Sequence, residues 1–271
     1  MSTAAEPSAA RPATAARIYD YLLGGVNNFP ADREVAQKVI DGLPNVREAA
    51  RANRAFLGRA VRYMAEHGID QFIDIGSGIP TLSNVHEVAH AVRPDARVVY
   101  VDIDPLAVAE SLDLLAADDR ATAVRGDPRD PGAILAHEKV RGLLDFDRPM
   151  GMLLFAVLHF VPDDAQAHAA VDRLVTELAP GSYMAASHGA TEMLPPQAQA
   201  AAMERAYDQR TMTGLAKPRS RDEFARFFGD WELVEPGLVW VPEWRPDASV
   251  PAEQIADPKI SGAWAAVAKK P

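Results

Sequence analysis

The spacing of apolar residues changes near residue 68 and divides the chain into two kinds of structure. Before this point, apolar residues recur at helical spacing in three segments, at 13–25, from Pro30 and at 44–67. A pair of glycines stops the first segment, which predicts a helix end there. Beyond residue 68, short apolar runs alternate with helical segments. The pattern therefore predicts a helical front part followed by repeated strand–helix units.

Five short apolar runs are predicted to be strands. They are QFIDI, RVVYVDI, ATAVRG, MGMLLFAVL and SYMAASH. The fourth is almost wholly apolar, as a strand covered on both faces must be. Helices between the strands imply parallel pairing. The predicted fold class is therefore α/β, with a doubly wound sheet and a ligand at the carboxyl ends of its strands.

The remaining segments complete this prediction. LSNVHEVAHAV is predicted to be a helix capped from Thr81 or Ser83. PPQAQAAAMERAYDQ and SRDEFARFF are also predicted to be helices, and in the second Ser220 and Glu223 have capping-box spacing. The segments WELVEPGLVWV and GAWAAVAKK are predicted to be the last two strands.

The chain is predicted to have three parts. Residues 1–12 are small, rich in Ala and Pro, and lack an apolar segment, so we expect a disordered tail rather than a signal peptide. The helical residues 13–68 are too many for one more strand–helix unit, and we expect a cap over the ligand edge. Residues 69–271 are expected to form the ligand-binding domain.

Composition narrows the classes of function. The net charge is −10, and an acidic surface repels phosphate backbones, which argues against a nucleic-acid or anionic-membrane partner. The absence of cysteine excludes disulfides, zinc–thiolate sites and cysteine nucleophiles, and it suits a reducing cytoplasm. No stretch approaches the ~20 apolar residues of a membrane helix. We therefore expect a soluble, cytoplasmic protein with a small-molecule partner.

The stretch FIDIGSGIPT joins the first predicted strand to the following helix. Gly76 and Gly78 let the backbone approach a ligand closely, but Thr81 replaces the third glycine of a dinucleotide loop. Asp74 at the strand end would repel a diphosphate and attract an ammonium or sulfonium group. S-adenosylmethionine carries both cations and no phosphate, and is therefore the predicted cofactor. The alternative is a plain strand–helix connection without a ligand.

Acids also follow the next two predicted strands. Asp102 is predicted to accept hydrogen bonds from both ribose hydroxyls, and Ile103 to lie against the adenine face. Asp104 competes for the ribose but is better placed to cap the helix that begins at Pro105. Asp127 either accepts a hydrogen bond from the adenine amino group or is a turn residue before a proline. Acids at three successive strand ends are more specific for a ligand site than any one of them.

Six motifs carry a family resemblance over nearly the whole chain after residue 12. They are ARIYDYLLGGVNNFPADRE, IDIGSGIPT, VYVDIDP, GDPRDP, LLFAVLHFVPDD and WELVEPGLVWVPEWRPD. With these motifs the sequence resembles a class I S-adenosylmethionine-dependent methyltransferase and, more narrowly, the bacterial S-adenosyl methyltransferase family. The resemblance implies a seven-stranded Rossmann-like sheet whose last strand, GAWAAVAKK, is antiparallel. It also implies cofactor contacts from Asp74, Gly76, Gly78, Asp102 and Asp127, with Pro128 as a departure from the expected pattern.

The helical front part supplies polar candidates for cofactor or substrate contacts. They are Tyr19, Tyr21, Asn27 and Asn28, of which Tyr19 and Asn28 are assigned to the cofactor. The tyrosines are equally well explained as core or interface aromatics. Arg17, Arg51 or Arg54 can pair with the methionine carboxylate of the cofactor, since a guanidinium fork matches a carboxylate. Each can also be a solvated helix arginine.

Two histidines follow the fourth and fifth predicted strands. The resemblance places His159 where related enzymes face the transferred methyl group, and an imidazole there can accept a proton from a hydroxyl or amine nucleophile. His159 is therefore the candidate catalytic residue, and a structural histidine bonded to a carbonyl is the alternative. The same two interpretations hold for His188, and neither has metal-ligand spacing. Trp240, Trp244 and Arg245 either line a substrate mouth or pack.

The resulting hypothesis is an S-adenosylmethionine-dependent methyltransferase that acts on a small molecule. The alternative from another class is a non-catalytic sensor or partner protein that binds the cofactor or its demethylated product, because no unambiguous base stands out. A nicotinamide oxidoreductase is disfavoured by the missing third glycine and by Asp74. No G-x-S-x-G elbow indicates a hydrolase.

Overall fold

A computed structural model describes residues 12–80, 83–193 and 216–271. The strands in these residues are β1 (Gln71–Ile75), β2 (Arg97–Asp102), β3 (Ala121–Arg125), β4 (Gly151–Phe155), β5 (Tyr183–Gly189), β6 (Glu232–Leu233), β7 (Val239–Trp240) and β8 (Ala263–Lys269). The α-helices are α1 (Ala15–Leu23), α2 (Pro30–Gly42), α3 (Val46–Glu66), α4 (Val85–Val92), α5 (Pro105–Leu114), α6 (Pro131–Ala136), α7 (Glu138–Leu143), α8 (Asp164–Thr176), α9 (Arg221–Ala225) and α10 (Ala252–Ala256). The predicted tail up to residue 11, the candidate cap Thr81 and the predicted helix at 195–209 lie outside the described residues.

The strands form one sheet in the order β3-β2-β1-β4-β5-β8-β6, and β7 also pairs with β8. The first five strands pair in parallel, whereas β8 runs antiparallel to β5. The order reverses between β1 and β4, which is where doubly wound sheets bind their ligands. The predicted α/β class, the parallel strands and the antiparallel last strand are confirmed.

The segment 231–241 differs from the prediction of one strand. It forms two short strands, β6 and β7, because a turn lies between them, in which the Gly237 N–H donates to the Val234 carbonyl at 2.8 Å. Pro236 stands in this turn and has no N–H to give to a strand ladder. The described sheet therefore has eight strands, where the resemblance implied seven.

Both faces of the sheet are buried, which explains why its central strands are almost wholly apolar. On one face, Ile73 belongs to a core that includes residues of α6, α7 and α8. On the other face, Phe72 shares a core with Phe56 of α3 and with residues of α4. Side chains alternate between the two faces of a strand. Asp74 and Ser187 consequently lie on the α3 face, at the carboxyl ends of their strands.

The N-terminal helices take different places around the sheet. The long helix α3 lies along the sheet face, and α1 packs against α2 and α3. Helix α1 begins after Thr14, whose Oγ1 donates to Asp104 Oδ2 at 2.5 Å, and it ends at Gly24 as predicted. This contact fixes the start of α1 at the carboxyl end of β2.

Two helix starts test the predicted caps. Helix α4 begins after Asn84, whose N–H donates to Glu87 Oε2 at 2.8 Å, so the predicted cap at Ser83 is wrong by one residue. Helix α9 begins after Ser220, whose N–H donates to Glu223 Oε2 at 2.8 Å. The predicted capping box is therefore confirmed.

Candidate functional site

The glycine turn after β1 needs both of its glycines, for different reasons. Gly76 and Gly78 have φ angles of +76° and +68°, a region that side chains other than glycine rarely adopt. A Cβ on Gly76 would lie 2.4 Å from Cγ2 of Val157, so this glycine permits close packing. A Cβ on Gly78 would meet no atom within 4 Å, so this position requires glycine for its φ angle alone, and the space beside it is open to a ligand.

Asp74 is a buried carboxylate at the end of β1. Among the described residues, no hydrogen bond or ion pair reaches its carboxylate, which lines a small cavity with Arg54, Gly78 and Tyr100. Burial raises the pKa of Asp74 to about 7, partly opposed by the charge of Arg54 and reinforced by that of Asp102. The fold therefore keeps an incompletely compensated acid at the ligand edge.

Asp102 lies beside this turn at the end of β2. Its Oδ2 accepts the Gly78 N–H and its Oδ1 accepts the Asp104 N–H, both at 2.8 Å. Burial raises the pKa of Asp102, although these two backbone hydrogen bonds oppose the shift. Ile103 is half-buried next to it. Each carboxylate oxygen has capacity for a further hydrogen bond, so the arrangement fits a ligand with two hydroxyl donors.

Asp104 and Asp127 are held by other parts of the chain. As predicted, Asp104 caps α5, with Oδ1 accepting the Leu106 N–H at 2.9 Å. Asp127 binds the guanidinium of Arg129 through both oxygens and accepts the Arg129 N–H at 2.9 Å. Burial alone would raise the pKa of Asp127, but the hydrogen bonds from Arg129 outweigh it and lower the pKa. This geometry favours the turn role of Asp127 over the adenine contact.

The structure separates the three candidate arginines. Arg17 is buried and its guanidinium binds Asp32 and Asp104, which leaves it no role with a ligand carboxylate. Arg51 is exposed, 3.8 Å from Glu48. Arg54 is half-buried, lines the same cavity as Asp74, and donates to the Ser83 carbonyl at 3.2 Å. Arg54 is therefore the arginine that faces the candidate site.

The predicted polar contacts of the cap have partners inside the protein. Asn28 donates through Nδ2 to Asp20 and to the Gly25 carbonyl, and its Oδ1 accepts from Arg33 at 3.0 Å. Both Nδ2 and Oδ1 of Asn28 thus make hydrogen bonds within the turn after α1, and these contacts stabilise that turn. Asn27 donates to Glu110 at 3.2 Å.

The two predicted tyrosines also make contacts within the N-terminal helices. Arg47 lies over the Tyr21 ring, 5.0 Å from its centroid. The Tyr19 hydroxyl donates to the Ala50 carbonyl and accepts from Asn53, both at 3.0 Å, and burial raises the pKa of this tyrosine. Both tyrosines are held by the protein itself.

The two histidines lie close together, His159 after β4 and His188 within β5, with ring centroids 5.5 Å apart. His188 is fully buried, and its Nε2 lies 3.2 Å from the Lys217 carbonyl, which supports the structural interpretation. His159 is half-buried, and its ring makes no hydrogen bond to another described residue. Burial, assisted by the charge of Arg219, lowers the pKa of His159 to about 4. His159 is therefore a neutral imidazole near neutral pH.

The aromatic segment near the C-terminus packs rather than lining a mouth. Trp244 is fully buried, and its ring lies 5.3 Å from Phe56. Trp240 stacks on Trp264 at 3.7 Å. The guanidinium of Arg245 covers the Tyr63 ring at 4.5 Å, outside the candidate site.

Sequence reasoning missed Asn53 and Ser187. Ser187 Oγ donates to Asn53 Oδ1 at 2.5 Å, and both side chains are buried. The signal was present, because Asn53 interrupts the buried stripe of α3 and Ser187 stands near the end of an apolar strand. Only the fold brings them together.

The described ranges hold no group of three or more acid, His or Cys side chains that would bind a metal. In the same ranges, no helix has both the length and the apolar character needed to cross a bilayer.

The sheet order, the antiparallel last strand and the glycine turn define a Rossmann-like fold, which solved methyltransferases share. The family model for S-adenosyl methyltransferases matches residues 2–271, and the chain belongs to this family. It is consequently an S-adenosylmethionine-dependent methyltransferase, with S-adenosylmethionine as its cofactor.

Solved structures agree with this assignment. A protein from Thermobifida fusca YX, provisionally named a methyltransferase, is 42% identical, covers 96% of this chain and 95% of its own, and has a TM-score of 0.85. A DUF574 family protein from Streptomyces avermitilis MA-4680 is 40% identical, covers 96% of this chain and 98% of its own, and has a TM-score of 0.86. The N-methyltransferase NodS from Bradyrhizobium japonicum WM9, solved with S-adenosylhomocysteine, shares the fold at 14% identity, 94% and 99% coverage, and a TM-score of 0.52. No curated protein matches the chain.

Proposed function

We propose that this methyltransferase holds its cofactor across the carboxyl ends of β1 and β2 and methylates a small molecule. The observation that carries the binding site is Asp74, a buried carboxylate without a hydrogen bond among the described residues and with a pKa raised to about 7. An ammonium group would supply the positive charge that this carboxylate lacks. Arg54 lines the same cavity and is placed for the methionine carboxylate.

The adenosine part is assigned to the turn after β2. Both oxygens of Asp102 are oriented by backbone N–H groups and can still accept the ribose hydroxyls. The space beside Gly78 is open next to them, and half-buried Ile103 is assigned to the adenine face. We assign Asp127 to the turn that it forms with Arg129.

When bound, the cofactor supplies an electrophilic methyl group on a sulfonium whose charge disperses during transfer. The work of the chain is therefore to orient the acceptor and to exclude water. We propose that the part of residues 13–68 that precedes α3 acts as a cap, and the contacts of Thr14 and Arg17 with Asp104 support this by fixing α1 at the ligand edge. Neutral His159 is assigned as proton acceptor for a hydroxyl or amine nucleophile.

We propose a small-molecule acceptor and a bacterial, cytoplasmic setting. The net charge of −10 disfavours a polyanionic acceptor. Relatives at 42% and 40% identity come from Thermobifida fusca and Streptomyces avermitilis. A chain without cysteine suits a reducing compartment.

Calorimetry with S-adenosylmethionine, S-adenosylhomocysteine and NAD tests the site. We expect both adenosyl compounds to bind and NAD not to bind. Asp102→Ala should weaken binding by roughly tenfold or more, because hydrogen bonds to a charged acceptor are each worth about 1.5–3 kcal/mol. Exposed Asp113→Ala is the matched control and should bind as the unmodified protein does. Binding of NAD alone, or an unchanged Asp102→Ala, would overturn the assignment.

A radiolabelled-methyl screen of cell extract addresses the acceptor. Labelled small molecules that form more slowly when Asp102→Ala replaces the unmodified enzyme at a limiting cofactor concentration would support the proposal. Label found only in protein or nucleic acid would contradict it.

A further inference from the structure

A chain of hydrogen-bonded polar side chains runs from α1 to the residue after β4. Tyr19 Oη donates to the Ala50 carbonyl at 3.0 Å and accepts from Asn53 Nδ2 at 3.0 Å. Asn53 Oδ1 in turn accepts from Ser187 Oγ at 2.5 Å, and Ser187 Oγ accepts the Ala156 N–H at 3.1 Å. One relay thus connects α1, α3 and β5 with the turn that follows β4.

The relay ends at a strained backbone position. Ala156 has a φ angle of +51°, which residues with a Cβ rarely adopt. Its N–H is held by both the Oγ and the carbonyl of Ser187, at 3.1 and 3.2 Å. Such conformations persist only where the surroundings over-determine them, and they cluster at functional sites. Ser187 therefore holds this backbone in a conformation that alanine would otherwise leave.

The strained turn lies against the glycine turn of the cofactor site. The strand order reverses between β1 and β4, so these two strand ends are neighbours at the ligand edge. Val157, the residue after Ala156, fills the space that a Cβ on Gly76 would take. In the proposed site, a sulfonium between the ammonium end at Asp74 and the ribose end at Asp102 would lie over this glycine turn.

We infer that Ser187 and Asn53 are positioning residues for methyl transfer. They hold the Ala156 backbone, and with it the Val157 side chain, against the part of the site that surrounds the transferred methyl group. This role rests on the proposed cofactor site. The inferred role concerns the surroundings of the methyl group alone. It can be tested separately from cofactor binding, because S-adenosylhomocysteine differs from the cofactor only by that group and its charge.

The same two strands contain a matched control. Directly before the two strands begin, Ser182 Oγ accepts the Met150 N–H at 3.1 Å, and Ser182 is fully buried. At their carboxyl ends, Ser187 Oγ accepts the Ala156 N–H at the same distance. Replacing either serine by alanine removes a buried hydroxyl between β4 and β5, but only Ser187 adjoins the candidate site.

The experiment measures the affinities of each variant for S-adenosylmethionine and S-adenosylhomocysteine by calorimetry, together with its Tm. In Ser187→Ala we expect affinity for S-adenosylmethionine to fall about fivefold more than affinity for S-adenosylhomocysteine, the effect of about one hydrogen bond. In Ser182→Ala we expect a comparable loss of Tm and an unchanged ratio of the two affinities. A merely structural role of Ser187 would move Tm alone.

Two further variants test the route of the effect. Tyr19→Phe removes only the hydroxyl at the far end of the relay, and it should change the affinity ratio in the same direction by a smaller factor. Ala156→Gly added to Ser187→Ala should restore the ratio, because glycine adopts a positive φ without support. If Ser187→Ala does not fold, the affinity ratio of Tyr19→Phe alone tests the positioning role.

The outcomes separate this inference from the proposed function. If Ser187→Ala and Tyr19→Phe keep the ratio of the unmodified protein, or if Ser182→Ala changes it equally, the positioning role is overturned and the cofactor site stands. If Ala156→Gly restores nothing, the action through this backbone is overturned. If the unmodified protein binds neither compound, the proposed function fails and the inference with it.

Discussion

Two pairs of buried acids near the ligand edge have opposite environments. Asp32 and Asp104 share one cation, since Arg17 Nε lies 2.9 Å from Asp32 and Arg17 Nη1 lies 3.0 Å from Asp104. Asp74 and Asp102 form no ion pair among the described residues, and burial raises the pKa of both. The first pair joins the start of α1 to α2 and to the start of α5, whereas the second faces the glycine turn.

The difference separates a structural role from a ligand-binding one. A buried carboxylate is costly unless it is paired, so acids that already share a guanidinium are accounted for by the fold. For the acids that remain without a cation, the proposed ligand supplies the partners, an ammonium group for Asp74 and ribose hydroxyls for Asp102. All four residues are aspartates next to helix or strand ends, so residue type and local sequence do not distinguish the two pairs.

Removing the shared cation should have the largest effect. Arg17→Met leaves two buried carboxylates uncompensated, which typically costs about 3–5 kcal/mol in free energy of unfolding. Urea denaturation measures this loss. Arg51→Met is the matched control, because Arg51 is exposed and forms only a surface ion pair. A loss below about 1 kcal/mol in Arg17→Met would show that the two pairs do not differ as stated.

Neutralising a ligand-facing acid should affect binding and leave stability intact. Asp74→Asn should weaken S-adenosylmethionine binding by roughly 30-fold, or about 2 kcal/mol, through loss of a charge-assisted contact. At pH 8 its free energy of unfolding should equal or exceed that of the unmodified protein, because the buried charge is gone. Calorimetry and urea denaturation measure the two quantities. The control is Asp32→Asn, which should lower the free energy of unfolding instead. Unchanged affinity for S-adenosylmethionine in Asp74→Asn would contradict the ligand-binding role of Asp74.

The raised pKa of Asp74 predicts opposite pH trends for stability and binding. Its pKa rises from 3.8 to about 7 on folding, so the folded state binds more protons than the unfolded state between about pH 4 and pH 7. The contribution of Asp74 to stability therefore falls as the pH rises through this range. Affinity for S-adenosylmethionine should instead increase about tenfold from pH 5.5 to pH 7.5, as the carboxylate ionises. Calorimetry of the unmodified protein should show this increase, and Asp74→Asn should abolish it.

The smallest effect is expected at Asp127, which is paired with Arg129 on the surface of the turn. Asp127→Asn should lower the free energy of unfolding by less than about 1 kcal/mol. It should change affinity for S-adenosylmethionine by less than about threefold. A tenfold loss of affinity in calorimetry would instead assign Asp127 to the adenine.

Predictions from local pattern succeeded where neighbouring residues determine the structure. The apolar runs located β1 to β5, and the acids at the ends of β1 and β2 do meet the glycines after β1 at one edge of the sheet. The prediction of one strand at 231–241 was wrong because Pro236 and Gly237 form a turn that divides the segment into β6 and β7. The mouth interpretation of Trp244 is not supported, since a tryptophan on a loop has the same sequence signature whether the core covers it or not.

The sequence by itself determined the order of strands and helices, the glycine turn and the chemical preference of its edge for a cation, because these depend on residues close together in the chain. The tertiary structure alone decided which charges are already compensated. Arg17 reaches Asp104 across 87 residues, and Asn53 reaches Ser187 across 134. Long-range contacts of this kind set the protonation and orientation of buried polar groups, and no local pattern encodes them.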